Sequence, residues 1–287
     1  MNHFLNIRDI SLKVLRRILN DARKRKKNRK NLKTLEIDKD KPLKGKLLIQ
    51  MFEKSSLRTR LSFYLAIRQL GGSALTLRPD ELHLSKGGET LADTAKILST
   101  YGDIFMLRTD NENKLLNFKK YLSIPLINGL SPKSHPAQIL SDVFTIEEIT
   151  KKDISKLKIC WIGDTNNVLN SLIESSLKFS FNLNIGCPKS YQPKLETNNF
   201  IKKNNSKIKF FDKPKDAIKY STQALNLLSK QGEEGMIFAF YMYSVRGWSK
   251  YEINDIRGAC VDWEKELSLS KKLGEETDAS ELIRNEC

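Results

Sequence analysis

The chain has 287 residues, 39% of them apolar, which is more than one small domain needs and enough for two sizeable cores. Fifty Lys and Arg against 34 Asp and Glu leave a formal charge of +16, a balance that draws in anionic ligands. No run of about 18 apolar residues occurs, so no membrane span is expected. The four cysteines (Cys160, Cys187, Cys260, Cys287) form no CxxC pair, and the three histidines (His3, His83, His135) make no ligand cluster, so neither zinc nor a disulfide framework is expected.

In chain order, the first twenty residues read as an amphipathic stretch rather than a charged-then-apolar leader, and a cytoplasmic protein is expected. Ser11 can cap a helix in which Leu12, Leu15, Ile18, Leu19 and Ala22 recur at helical spacing. Its end carries the densest basic run, residues 23–30. That run can be a nucleic-acid surface or the solvated end of a helix. The second reading is preferred, because no aromatic residue interleaves the lysines and no nucleic-acid motif accompanies them. After Pro42 and Gly45, residues 46–52 (KLLIQMF) suit a buried strand, residues 58–70 a helix stopped by Gly71 and Gly72, and residues 73–77 a strand. Residues 89–101 read as helix, 103–108 (DIFMLR) and 124–128 as strands, and Pro136 opens a long helix. A second cycle follows: strand 157–163, helix 167–179, strands 183–187 and 207–211, a short helix 215–220, and a last apolar strand at 236–242 (MIFAFYM). The tail from Leu273 is polar and reads as frayed.

Strands alternating with helices argue for an α/β protein: two doubly wound parallel-sheet domains with a ligand cleft between them. The helix from Pro136 divides the two cycles. This gives domains at 1–140 and 141–262 and a closing helix and tail at 263–287.

Four stretches carry candidate chemistry, each where a strand gives way to a helix, the place where open parallel sheets bind ligands. In FEKSSLRTR (residues 52–60) the free N–H groups of Leu57, Arg58 and Thr59 sit at the positive end of a helix. Ser55, Ser56 and Thr59 add hydroxyls, and Arg58 offers a fork matched to phosphate. The stretch can equally be a Ser-capped helix with surface arginines. Arg60 points to another face and reads as structural or ion-paired. In HPAQ, His135 and Gln138 can bond a carbonyl and an amide, or His135 can cap its own helix. Arg108 closes an apolar strand, facing the same crevice or simply solvent. In GDTNNV, Asn167 can meet a ligand or act as a cap.

Together, in the order FEKSSLRTRLSF, GGETLADTAKILS, MLRT, HPAQILSDVFTIEE and GDTNNVLNSLI, these residues resemble the transcarbamylases from about residue 4 to about residue 220. The Lys in FEK and the stretch GDTNNVLNSL are most similar to the ornithine carbamoyltransferases. The resemblance implies that Ser56, Leu57, Arg58 and Thr59 hold carbamoyl phosphate, that Arg108, His135 and Gln138 hold its carbamoyl group, and that Asn167 touches ornithine. Arg58, Arg108 and His135 would be catalytic. A polar residue before GGET would complete the site, and His83 is the nearest candidate. The first domain would then bind carbamoyl phosphate and the second ornithine, giving citrulline for arginine biosynthesis. No metal or organic cofactor is implied, and a homotrimer is.

The chain departs from the family at Leu57, where Thr is usual, and far more after residue 220. Neither the family's Asp with its Ser-Met-Gly loop nor its His-Cys-Leu-Pro strand end is present. Asp255, Glu233 and Glu234 are the candidate substitutes for the acid. The alternatives are a transcarbamylase-fold pseudoenzyme, a transcarbamylase for another amine, and a nucleic-acid binder acting through residues 23–30.

Overall fold

In the computed structural model, residues 3–78, 88–187, 201, 207–228 and 233–287 are described. The chain divides into two compact units, residues 1–157 with 166–181, and residues 158–165 with 182–287. Among the described residues no helix is long and apolar enough to cross a membrane.

The first unit opens on a 3-10 turn, Ile7–Asp9, and α1, Leu12–Asn28, where Ser11 accepts from the Val14 N–H as expected. Then come β1 (Leu47–Phe52), α2 (Leu57–Gln69), β2 (Ser73–Leu77), α3 (Leu91–Tyr101), β3 (Ile104–Arg108), α4 (Glu112–Tyr121), β4 (Leu126–Leu130) and α5 (Pro136–Thr150). The four strands are parallel in the order β2-β1-β3-β4. Period-two side chains give the sheet two apolar faces. Ile49, Met51, Phe105 and Leu107 pack on α3 and α4 with Ala95, Leu98, Leu115 and Phe118. Leu48 and Met106 pack with Ile67 and Phe63 of α2. Each such fully buried side chain contributes about 1.5–3 kcal/mol. Helix α4 had no counterpart among the expected elements. Its apolar residues Leu115 and Phe118 are few, and its start is marked mainly by Asn111, which accepts from the Lys114 N–H.

Helix α6 (Asn167–Phe179) also belongs to this unit. The His135 N–H donates to Ser171 Oγ at 2.9 Å, and the Arg8 N–H donates to Glu174 at 3.1 Å. Buried Glu147 of α5 accepts from Arg16 at 2.6 Å, from Arg23, and from the Ile154 N–H at 2.9 Å. In the same way Arg25 pairs with Asp21, Asp38 and Asp40, Arg29 with Asp38, and Lys26 with Glu148. Much of the basic run is thus neutralised within the fold.

The second unit carries β5 (Lys158–Ile162), β6 (Asn182–Gly186) and β7 (Ile208–Phe211), parallel in the order β5-β6-β7. After them come α7 (Pro214–Leu228), α8 (Glu233–Tyr251), α9 (Ile256–Leu273) and α10 (Ala279–Glu286). Three expectations are corrected here. Residues 236–242, expected as a strand, lie inside the 19-residue helix α8. A short apolar run does not by itself distinguish strand from helix. Here the flanking residues decide, because they bind α9 from a helical face. Arg246 donates to Asp262 through two nitrogens at 2.9 and 2.6 Å, and Lys250 reaches Asp262 at 2.9 Å. Gly247 lies so close to Trp263 that a Cβ would fall 2.6 Å from Nε1. The tail is not frayed: α10 buries Ala279 against Trp263 and Ala259. Two cysteines expected to be unbonded are joined, Cys260 to Cys287, because α9 and the end of α10 bring their Cα atoms to 5.9 Å.

Removing the Glu147 carboxylate leaves Arg16 and Arg23 without their shared partner. The guanidiniums reach solvent, so the cost lies below that of a fully buried pair. Glu147→Ala is expected to lower stability by about 2 kcal/mol in urea titration, with Glu147→Gln between it and the wild type.

Candidate functional site

The order β2-β1-β3-β4 makes the chain leave β1 and β3 in opposite directions, which opens a crevice at their carboxyl ends. Five of the expected residues gather there: Arg58, Thr59, Arg108, His135 and Gln138. Phe52 pairs with Arg108, and the Glu53 N–H donates to Arg108 O at 3.0 Å. Glu53 then accepts from the Thr109 hydroxyl and from Lys114 Nζ, tying the segment before α2 to the segment after β3.

Ser56 is the N-cap of α2, but its side chain makes no capping bond. That counts against the ordinary-cap reading of the stretch and leaves the first-turn N–H groups without a side-chain acceptor. Leu57 is 68% exposed. Arg58 and Thr59 line a pocket of about 270 Å³ together with Ser62, Phe63, His135 and Gln138. Arg108 joins through Thr59, donating Nη1 to the threonine hydroxyl at 3.1 Å. Arg60 is exposed and does not line the pocket.

His135 precedes Pro136 and makes no side-chain cap bond either. Its Nδ1 is buried without a hydrogen-bond partner among the described residues, as is Arg108 Nε, and such groups call for a ligand or water. Burial, and secondarily the charge of Arg108, push the His135 imidazole down to about 4. Burial alone lowers Arg108. His135 is therefore neutral at pH 7 and acts as a hydrogen-bonding group, not as an acid. Gln138, one turn on, donates Nε2 to Asp142 Oδ1 at 2.8 Å.

Asn167 stands apart from this pocket. The cap of α6 is Asn166, which accepts from the Val168 and Leu169 N–H groups, while Asn167 Nδ2 donates to Ser131 O at 2.8 Å. His83 lies outside the described residues. The motifs did not single out Ser62, Phe63, Ala66 or Ser141, which line the same pocket. Residues 58, 59, 62, 63 and 66 share one helix face, and that spacing could have found them.

Family models match both parts of the chain. Residues 2–148 match the carbamoyl-P binding domain of aspartate/ornithine carbamoyltransferase, and residues 155–223 its Asp/Orn binding domain. The chain belongs to the aspartate/ornithine carbamoyltransferase family. Among its relatives, the ornithine carbamoyltransferase of Rhizorhabdus wittichii is 43% identical over 193 residues, covering 67% of this chain and 62% of that protein. That of Brucella ovis is 40% identical over 217 residues, covering 76% and 67%. The chain thus spans about two thirds of the length of the relatives it matches. Among solved structures, the anabolic ornithine carbamoyltransferase of Campylobacter jejuni superposes with a TM-score of 0.66 at 37% identity, covering 76% of this chain and 70% of that one. The Pyrococcus furiosus enzyme gives 0.68 at 33% identity, covering 76% and 68%. The pocket built from Arg58, Thr59, His135 and Gln138 lies inside the segment matched by the carbamoyltransferase family's first domain model.

The sign of the pH dependence follows from the histidine. Between pH 4 and the unfolded value near 6.5 the unfolded state binds the extra proton, so the neutral, buried His135 contributes stability that is present above 6.5 and lost as pH falls toward 4. NMR titration is expected to place His135 near 4. Arg108→Ala, which removes a charge and opens the site, is expected to raise that value. A His135 that titrates at 6.5 in the wild type would contradict the buried placement.

Proposed function

We propose that this protein binds carbamoyl phosphate and transfers its carbamoyl group to the side-chain amine of ornithine, giving citrulline and phosphate. The amine nitrogen bonds to the carbamoyl carbon, the bond from that carbon to the phosphate oxygen breaks, and the amine gives up a proton. What supports the reading is the convergence of Arg58, Thr59, Arg108, His135 and Gln138, drawn from three strand ends, on one crevice. Arg58, Ser56 and the N–H groups at the start of α2, including that of Leu57, serve the phosphate as charge moves onto it. Arg108, Thr59 and neutral His135 serve the carbonyl oxygen by hydrogen bonding. Gln138 orients the carbamoyl amide. Asn167 is assigned to ornithine, and Oδ1, the acceptor end of its amide, takes no hydrogen bond from the described residues. No cofactor takes part. The groups for carbamoyl phosphate lie mainly in residues 1–140, with Ser141 and Asp142 just beyond, and those for the amine in residues 141–262. On this reading the protein works in arginine biosynthesis in the cytoplasm, as a homotrimer that light scattering would detect.

One observation narrows the activity. The described residues after 223 lie mostly in helices, and of the acids that could pair the ornithine amino group Asp255 is engaged as the cap of α9. The side chains of Glu233 and Glu234 lie outside the described residues. A cation left without a partner as it is desolvated costs several kcal/mol, or several orders of magnitude in rate. Turnover with ornithine is therefore expected below roughly 1 per second, the low end of ordinary enzymes.

Calorimetry should show carbamoyl-phosphate binding that Arg58→Ala abolishes and Arg60→Ala retains, and a citrulline assay should show slow product formation. Equal binding by wild type and Arg58→Ala would refute the phosphate assignment. Citrulline formation at an ordinary enzymic rate would refute the assignment of the C-terminal half.

A further inference from the structure

We infer that Asp142 is a positioning residue that fixes which end of the Gln138 amide faces the pocket, so that the pocket selects a carbamoyl group over an acyl group without N–H. The inference rests on the reading of this pocket as the carbamoyl-phosphate site and deepens it into a specificity device.

A side-chain amide has a donor end and an acceptor end, and its orientation follows from what it can bond. A carboxylate only accepts. The 2.8 Å contact between Gln138 and Asp142 therefore commits the amide nitrogen to Asp142 and turns Oε1 away from it. The two residues sit one turn apart on α5, where i and i+4 side chains meet. Burial holds the Asp142 carboxyl above its ordinary value, with the Gln138 bond pulling the other way, as expected for a carboxylate set into the protein with one neighbouring donor.

The rest of the lining makes that acceptor matter. Arg58 and Arg108 can only donate. The Thr59 hydroxyl accepts from Arg108 and keeps its own proton to donate, whereas Ser62 and Ser141 commit their protons to the Arg58 and Ala137 carbonyls at 2.8 and 3.0 Å and so offer lone pairs. The two arginines and Thr59 suit phosphate and carbonyl oxygens, which are all acceptors. A carbamoyl group differs from an acetyl group by carrying an NH2 in place of a methyl, and this NH2 needs an acceptor. Gln138 offers one through Oε1, beside the lone pairs of Ser62 and Ser141, and Asp142 sets which end of that amide is presented. Without Asp142 the amide is free to turn its NH2 toward the substrate, where donor would meet donor.

The test compares three probes by calorimetry on the full chain at pH 8: carbamoyl phosphate, acetyl phosphate and inorganic phosphate. Wild type is expected to bind carbamoyl phosphate more tightly than acetyl phosphate. Asp142→Ala is expected to weaken carbamoyl phosphate roughly tenfold, the scale of one lost hydrogen bond, while leaving the other two within about twofold. Asp142→Asn keeps an oxygen that can accept from Gln138 and should retain most of the preference. Gln138→Met, which leaves Asp142 in place, carries the same comparison should Asp142→Ala fold poorly. An equal loss for all three probes, or no loss for any, overturns the inference. A wild type that binds carbamoyl and acetyl phosphate alike overturns it while leaving the phosphate site standing, and a wild type that binds none of the three overturns the underlying reading as well.

Discussion

The pairing of β1 with β3 is the constraint on which the candidate site depends. These two parallel strands run in register from Leu48 opposite Ile104 to Phe52 opposite Arg108, with β2 outside one and β4 outside the other. The chain must leave β1 toward α2 on one face and β3 toward α4 on the other, because the sheet is apolar on both sides and needs covering twice. The crevice at the strand ends is the consequence, and every group in the pocket inherits its place from it. The start of α2 follows β1, Arg108 ends β3, and α5 begins just beyond β4. A slip of one residue would send Arg108 to the opposite face and the Met106 side chain with it. The Glu53 network, one backbone bond to Arg108 and two side-chain partners beyond it, lies across the joint where such a slip would start.

The charges sort themselves by partner. The chain carries a surplus of sixteen positive charges, and the basic run of α1 looks the obvious place for an anion. The fold answers much of that run with carboxylates: Arg23 and Arg16 share Glu147, Arg25 and Arg29 share Asp38, and Lys26 has Glu148. In the pocket the balance is the reverse. Neither Arg58 nor Arg108 forms a salt bridge with any described residue, and Arg108 is half-buried with Nε unsatisfied. A half-buried guanidinium such as Arg108 is costly to keep without a counter-ion, and the phosphate proposed to bind beside exposed Arg58 would relieve that cost. Local compensation, rather than the density of cations along the sequence, supports the place proposed for the anion. The nucleic-acid reading of residues 23–30 loses its ground for the same reason.

Much of the first unit was legible because its signals are local. Apolar runs of strand length bounded by Gly and Pro gave β1 through β4 to within about two residues, and Ser11 and Pro136 marked helix starts that the fold keeps. Arg58, Thr59, His135 and Gln138 were legible as a set because each lies at a strand-to-helix junction, and parallel sheets bring such junctions together, whereas Leu57 beside them is exposed and does not line the pocket. Asp142 and Ser62 carry no signal of their own. Their roles arise from the helix period that places them one turn from Gln138 and Arg58. The misreading of residues 236–242 has a physical cause too. An apolar run shows what is buried but not the backbone that buries it, and the partners that select a helix, Asp262 and Trp263, stand more than a dozen residues further along. The disulfide between Cys260 and Cys287 was hidden for the same reason, since only the antiparallel return of α10 beside α9 brings the two together.

The two halves of the chemistry are therefore unequally anchored in the chain. The pocket proposed for carbamoyl phosphate is contained between residues 56 and 142, on one sheet and two of its helices, within one compact unit. Its geometry owes nothing to the segment after residue 223, where the match to the family's second domain model ends. That later segment has its own reasons for being folded. Buried Asp262 neutralises Arg246 and Lys250, Trp263 fills the space that Gly247 leaves, and α10 closes the cluster. A segment so engaged in its own core offers Arg246 and Asp262 to each other rather than to a ligand. A function that needs only the first pocket can survive that change, whereas a function that needs an acid for a second, cationic substrate must find it on residues that are not already paired.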